Sequence, residues 1–409
     1  MNEAGENPAM HGHATPDTQP ALRRRDGGEA KVTYEELFFD LVYVFAVTQL
    51  SHYLLGHLTP LGALETGLLW FAVWLGWQYT AWVTNWFDPR SAPVRLLLFG
   101  VMLVGLVMSA AIPGAFAERG ATFAAAFVTI QVGRSIVVYL MLRERHVLAA
   151  NFRRILGWNC IAALFWIAGA FAAGPARIGC WAVAVACEYL SPMFGFRLPG
   201  LGRSQTSDWT IEGGHLAERC QLFVIIALGE SILLTGDTFA KTQALATLST
   251  AAFLCAFIGS LAMWWLYFDT SSADGSHVIE HSDDPGRIGA WFHYVHVLLV
   301  GGIIVTAVGN ELVIAHPHGH MDLAELIVMV GAPVAYLLGN GLYKRIVYGR
   351  FPLSHIAGLL AALALIAIAP KLDLLTMNVL TSIVIIGVAA FDSRTSRARR
   401  KAQQPATAP

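Results

Sequence analysis

Gly214-His215-Leu216-Ala217-Glu218-Arg219-Cys220-Gln221-Leu222-Phe223-Val224-Ile225-Ile226-Ala227-Leu228-Gly229-Glu230-Ser231-Ile232-Leu233-Leu234 opens on Glu218 and Arg219 and carries Glu230 within it. An apolar run of about 20 residues reads as a bilayer-spanning helix. A carboxylate on such a helix is costly unless it faces protein or water, so Glu230 is a functional candidate from the outset. A similar stretch stands near the N-terminus: Glu35-Glu36-Leu37-Phe38-Phe39-Asp40-Leu41-Val42-Tyr43-Val44-Phe45-Ala46-Val47-Thr48. Outward from these two segments, apolar runs of similar length recur from residue 37 to residue 391. The 409-residue chain is 56% hydrophobic and 13% charged, where a soluble domain is roughly a quarter charged. The reading is an all-α integral membrane protein with the lipid bilayer as its main partner. A net charge of −1 argues against nucleic acid.

Hydrophobic runs and loop breakers place about twelve transmembrane helices, near 37–57, 62–87, 95–115, 120–142, 152–174, 177–197, 216–235, 244–268, 289–314, 323–345, 354–370 and 374–391. Pro60, Pro113, Pro175, Pro317 and Pro370 fall at or near turns, where proline costs least, and Pro333 predicts a kink inside the tenth span. With the N-terminus inside, the outer connections carry only Arg119, Arg177, Lys241 and Lys371. Arg134 and Arg219 lie in spans, and the other Lys and Arg residues fall on the inner side. That bias predicts an even span count with both termini cytoplasmic, in a bacterial plasma membrane. Cys160, Cys180, Cys187, Cys220 and Cys255 sit within or at the edge of apolar segments without a C-x-x-C spacing, so free thiols are expected.

The chain also reads as duplicated. Glu36 opens the first span and Glu218 the seventh, a shift of 182 (218 − 36); Trp86-Phe87-Asp88 and Tyr267-Phe268-Asp269 close the second and eighth, a shift of 181 (269 − 88). Even-numbered halves make parallel repeats about an axis along the membrane normal; coincidence between apolar helices is the alternative. The expected organisation is a disordered tail (1–34), a first six-helix repeat (35–197) and a linker (198–215), followed by a second repeat (216–391) and a basic, unstructured tail (392–409).

The ordered motifs Glu36-Leu37-Phe38-Phe39-Asp40-Leu41-Val42, Thr84-Asn85-Trp86-Phe87-Asp88, Gly133-Arg134, His215-Leu216-Ala217-Glu218-Arg219 and Ile226-Ala227-Leu228-Gly229-Glu230-Ser231 resemble the bacterial low temperature requirement A family. Trp265-Leu266-Tyr267-Phe268-Asp269, Tyr294-Val295-His296 and Ala307-Val308-Gly309-Asn310-Glu311 continue the likeness. The resemblance runs from about residue 33 to residue 391 and implies a bacterial integral membrane protein. It implies little about chemistry.

In the expected orientation Glu36, Asp40, Glu218 and Arg219 open spans from the inner side, and with Glu230 they form the expected ion or proton site. Glu36 and Asp40, spaced i, i+4, share a helix face. Asp88, Asp269, His293, His296 and Glu311 form a second expected polar cluster. Carboxylates at helix N-termini suit the dipole, whereas Asp88 and Asp269 at C-termini need a partner, such as Arg95, Arg219 or a histidine. Mid-span Arg134 and Glu188 are an expected buried ion pair, with Arg134–Glu230 as the alternative. Gly229 beside Glu230 is expected to admit another helix. His316, His318 and His320 read as a solvated loop. With no H-E-x-x-H, Walker loop, Gly-x-Gly-x-x-Gly or Gly-x-Ser-x-Gly pattern, neither a metal nor a cofactor is expected, and no nucleotide engine or serine hydrolase is indicated. The leading expectation is a proton- or cation-linked secondary transporter or permease for an unknown small molecule or ion. An integral-membrane enzyme using the inner His/Asp/Glu cluster and a stress sensor or scaffold are the alternatives.

Overall fold

A computed structural model describes residues 21–23, 31–142, 147–206, 209, 211–241, 247–269, 275–280 and 282–403. Among these, twelve principal helices follow one another. The first six are α1 (Tyr34–Gly56), α2 (Pro60–Trp86), α3 (Ala92–Ala111), α4 (Gly120–Leu142), α5 (Val147–Phe171) and α6 (Pro175–Met193). The second six are α7 (Gly213–Lys241), α8 (Thr247–Phe268), α9 (Pro285–Ala315), α10 (Leu323–Tyr348), α11 (Leu353–Ala364) and α12 (Leu374–Gln403). Their starts are written locally. Thr33 and Glu36 form a capping box on α1, as do Asp322 and Glu325 on α10; Thr59-Pro60 and Asp284-Pro285 open α2 and α9 with a side-chain cap and a proline in the first turn. Gly349, at φ +73°, ends α10 in the left-handed conformation that glycine takes most cheaply.

Nine of the twelve are long and apolar enough to cross a membrane: α1, α3, α4, α5, α7, α8, α9, α10 and α12. The multiple apolar helices imply a chain embedded in the bilayer. The other three differ for a physical reason. Most of α2 is buried within the protein, Glu65, Thr66, Gln78, Thr80, Thr84 and Asn85 included, and α6 buries Arg177 and Glu188. A helix that faces other helices can carry polar residues that lipid would reject. α11 is simply short.

Packing order is the same in the two halves. From α1 to α6 the neighbours run α1–α2–α6–α5–α4–α3 and back to α1; from α7 to α12 they run α7–α8–α12–α11–α10–α9 and back to α7. The halves meet where α1 and α2 touch α7 and α9. Two helices carry an irregularity at similar depth: a π turn at Thr129–Gly133 in α4, and Pro333 in α10, which stays helical through it. A core cluster including Phe39, Trp74, Trp77, Phe223, Val300 and Tyr336 joins the halves.

Some details depart from the sequence reading. Ala21–Arg23, placed above in the N-terminal tail, lies antiparallel against Phe87 at the end of α2, with Arg23 N donating to Trp86 O. α12 runs past residue 391 to Gln403, because Arg, Ala and Lys continue a helix as readily as the apolar residues before them. Residues 1–20, 24–30 and 404–409, the rest of the two tails, and residues 143–146 lie outside the described residues. All five cysteines are free thiols.

Candidate functional site

α1 and α7 run side by side and share a seam of polar rungs. At the first, His215 Nε2 lies 2.7 Å from Glu36 Oε1; at the second, Arg219 Nη2 donates to Asp40 Oδ1 at 2.6 Å. Both rungs join residues 179 positions apart, so the two helices run in the same direction. A third rung, Thr48 Oγ1 donating to Glu230 Oε1 at 2.5 Å, joins residues 182 apart. From Glu36 to Thr48 the seam rises about 18 Å at 1.5 Å per residue. The helical spacing makes the ladder: Glu36 and Asp40 are one turn apart on α1, and His215 and Arg219 are one turn apart on α7.

Arg219 is the hub. Its Nη1 donates to Glu36 Oε1 at 3.0 Å and to Thr84 Oγ1 at 3.1 Å, while Nη2 holds Asp40, so two carboxylates share one guanidinium. All three side chains are fully buried. The guanidinium lies within 6 Å of the ring centres of Phe39 (5.7 Å) and Trp77 (5.8 Å), and Trp77 Nε1 donates to Asp40 Oδ1 at 2.7 Å. Trp77 therefore both packs in the core and hydrogen-bonds the site. Asp40 Oδ2 and Arg219 Nε have no hydrogen-bond partner among the described residues.

Glu36 is held on its other oxygen. Oε2 accepts from Thr33 N, Thr33 Oγ1 and Arg23 Nη2 at 2.9, 3.0 and 3.0 Å. Arg23 is anchored by Nε donating to Thr84 O at 2.6 Å. The imidazole is oriented by α2. Glu212 N donates to Asn85 Oδ1, which leaves Asn85 Nδ2 to face His215 Nδ1 at 3.1 Å. With Nδ1 as the acceptor, the proton on Nε2 is donated to Glu36 Oε1, and Arg23 Nη2, 3.1 Å from the same Nε2, is a close neighbour that donates to Glu36 Oε2 instead. His215, Arg23, Thr84 and Asn85 were absent from the sequence-derived site. His215 was legible through its i, i+4 spacing to Arg219; Arg23, in a polar tail, had no such signal.

The other expected residues scatter. Glu218, next to Arg219 but about 100° around the helix, faces away from the hub and accepts from Val32 N at 3.1 Å. Asp88 Oδ1 accepts from Arg90 N, and Asp269 Oδ2 from Ser393 Oγ and Trp265 Nε1. Arg95 pairs with Glu35 instead. His293 Nδ1 donates to Gly289 O and His296 Nδ1 to Phe292 O, each within α9, and Tyr267 OH donates to His296 Nε2 at 2.8 Å. Glu311 is half-buried near the other end of α9. Arg134 and Glu188 are not in direct contact: Gln131 stands between them, accepting from Arg134 Nη2 and donating from Nε2 to Glu188 Oε2 at 3.0 Å. Gln131 and Arg134 are three residues apart on α4, the spacing of neighbours on one helix face, and meet directly across the end of the π turn. Nor does Arg134 meet Glu230, whose partner is Thr48. Gly229 admits no close neighbour; a Cβ built there meets nothing within 4 Å.

Elsewhere, Lys344 pairs with Asp392, which also accepts from Ser354 Oγ at 2.6 Å, beside His355 and Asn340. In the histidine loop, His318 Nδ1 lies 3.0 Å from Asp373 Oδ2. Hydrogen bonds from Thr376 and the contact with His318 hold the Asp373 carboxyl down at about 2. Among the described residues no group of three or more His, Cys, Asp and Glu side chains converges in a way that could hold a metal ion.

Comparison with known proteins places these motifs. The model of a family described as bacterial low temperature requirement A protein matches residues 31–390. An uncharacterized protein of Rhizobium meliloti (strain 1021) is 36% identical over 375 residues, covering 91% of this chain and 91% of the relative. No solved structure matches the chain.

Proposed function

The chain belongs to the bacterial low temperature requirement A family, and on that premise we propose that it is a proton- or cation-linked secondary transporter of the bacterial plasma membrane. In this reading the two halves are parallel six-helix repeats with both termini cytoplasmic, and α1 and α7 are corresponding helices. The observation that carries it is the polar seam: Glu36, Asp40 and Glu230 lie along one interface between the halves, at increasing depth. The matched packing order, the parallel course of α1 and α7, and the 182-residue offset of the third rung support the duplication.

The chemistry follows from the charges. Two carboxylates and two guanidiniums balance at the inner end of the seam, with His215 neutral in the tautomer set by Asn85. A proton or cation taken up by Asp40, whose Oδ2 has no partner among the described residues, competes with Arg219 for that carboxylate. Weakening the Arg219–Asp40 contact loosens α1 from α7, which is where alternating access between repeats needs freedom. Glu230, held by a single hydroxyl, is the deeper acceptor on the same seam.

The test is charge displacement after an acidic pH step, recorded on a solid-supported membrane carrying proteoliposomes. The wild type gives a transient displacement that Asp40→Asn abolishes and Glu230→Gln reduces. No displacement in the wild type, or one unchanged in both variants, rejects the reading.

A further inference from the structure

A cavity of about 430 Å³ lies beyond the seam, between the end of α2, the middle of α4, the start of α5, the end of α6, the segment after it and the start of α9. Its volume falls in the range of small-molecule sites. A smaller void of about 30 Å³ lies between α8, α9, α10 and α12.

Rings form the walls, Trp82, Trp86, Trp209 and Tyr294 among them, and Arg134 forms the deep end. Arg134 is 2% exposed. It stands eight residues before Leu142, the end of α4, so it lies about 12 Å in from that end. Its direct hydrogen-bond acceptors are all neutral: Gly76 O at 3.2 Å, Thr80 Oγ1 at 3.0 Å and Gln131 Oε1. These three are fewer than the donors a guanidinium carries. The Tyr79 ring lies beneath its charge, 5.4 Å away. Glu188 is reached only through Gln131. A buried arginine without a direct carboxylate contact is a costly arrangement, and its planar donor set suits a bidentate oxyanion.

Three further features set the kind of ligand. No Asp or Glu lines the cavity among the described residues, while a second arginine, the exposed Arg287, stands at its rim. Trp82 Nε1, buried, has no hydrogen-bond partner among the described residues and supplies another donor; Gln78 Oε1, likewise without a partner among them, supplies one acceptor. The walls between these polar points are aromatic and apolar. A cation would be opposed by both arginines, and a small inorganic anion would leave the rings uncovered.

We propose that this cavity binds an amphipathic organic anion, with its acid group on Arg134 and its apolar body between the rings. The anion could be supplied by a free carboxylate or sulfonate or by the headgroup of an anionic lipid; the acid-on-apolar-body chemistry is common to both. Binding of this kind does not require that the protein move its ligand, so it stands apart from the transport reading.

The test uses the full-length protein in phosphatidylcholine nanodiscs, with naphthoate and its uncharged analogue naphthamide as probes and quenching of tryptophan fluorescence as the readout. Naphthoate binds at least about tenfold more tightly than naphthamide, the difference a charge-assisted contact supplies. Arg134→Gln removes that preference and leaves naphthamide binding as it was. Ala290→Phe, which fills the cavity without touching the arginine network, weakens both probes. Should Arg134→Gln not fold, the wild-type preference together with Ala290→Phe still decides. Equal binding of the two probes, or naphthoate binding unchanged in Ala290→Phe, overturns the proposal. Adding phosphatidylglycerol to the discs separates the sources: competition with naphthoate assigns the site to a lipid anion, and no competition assigns it to a free one.

Discussion

Arg219 has no exposed surface and serves two carboxylates from neighbouring turns of one helix. Removing it would strand Glu36 and Asp40 in a protein interior, and breaking a buried pair this way costs about 3–5 kcal/mol. Arg219→Met is therefore expected to lower the unfolding temperature of the purified protein strongly, and adding Asp40→Asn is expected to recover part of the loss. Glu230 is the contrasting case. It is half-buried, no ion pair engages it among the described residues, and its one partner is the Thr48 hydroxyl. In Glu230→Gln the amide oxygen still accepts that hydrogen bond, so the expected cost is about 1 kcal/mol or less. Thermal unfolding of the two variants side by side checks this. A Glu230→Gln loss as large as that of Arg219→Met would mean that a cation partners Glu230.

At the level of helices, α9 and α10 are joined more closely than any other pair by two reciprocal glycines. A Cβ on Gly302 would stand 2.6 Å from Tyr336 N, and one on Gly339 would stand 2.6 Å from Leu299 N. Both neighbours are backbone, so neither can swing aside. Lipid provides little hydrophobic drive for helices to associate, and close approach through small residues is how they gain packing instead. Gly302→Ala and Gly339→Ala are each expected to cost about 1–3 kcal/mol, as overpacking does. Gly229→Ala, with open space around it, is expected to be neutral or to stabilise α7 by about 0.5–1 kcal/mol, since alanine is the better helix former. Equal unfolding temperatures for the three variants would contradict the close α9–α10 approach.

For the molecule as a whole, the proposed reading takes all twelve helices, the nine long apolar ones and the three between them, across the membrane. In that arrangement the α1–α2 and α9–α10 turns face out, and the α10–α11 turn faces in. In a variant lacking the five native cysteines, single cysteines at Leu58 and His318 are expected to react with a membrane-impermeant maleimide in intact cells. One at Arg350 is expected to react only after the membrane is opened. Labelling of Arg350→Cys from outside together with the other two would mean that α10 does not cross the membrane and would overturn the twelve-span arrangement.

Sequence alone determined the membrane class, the twelve helical segments, most of their boundaries and the family. These properties are local: an apolar run, a capping residue or a proline acts within a turn or two of itself. It also singled out Glu36, Asp40, Arg219 and Glu230, because charge within an apolar run is conspicuous. It could not say which of them meet. Lipid and a helical core are both apolar, so hydrophobic periodicity gives little sign of which face of a spanning helix turns inward. Partners are then set by the rotation of each helix about its axis and by its neighbours. That is why Arg219 answers Glu36 and Asp40 while Arg95 pairs with Glu35, why Gln131 stands between Arg134 and Glu188, and why Thr48 is the partner of Glu230. The anchorage of Arg23 on Thr84 and the contacts of His215 with Asn85 and Glu36 join segments far apart in the chain, and only the packed helices bring them to one point.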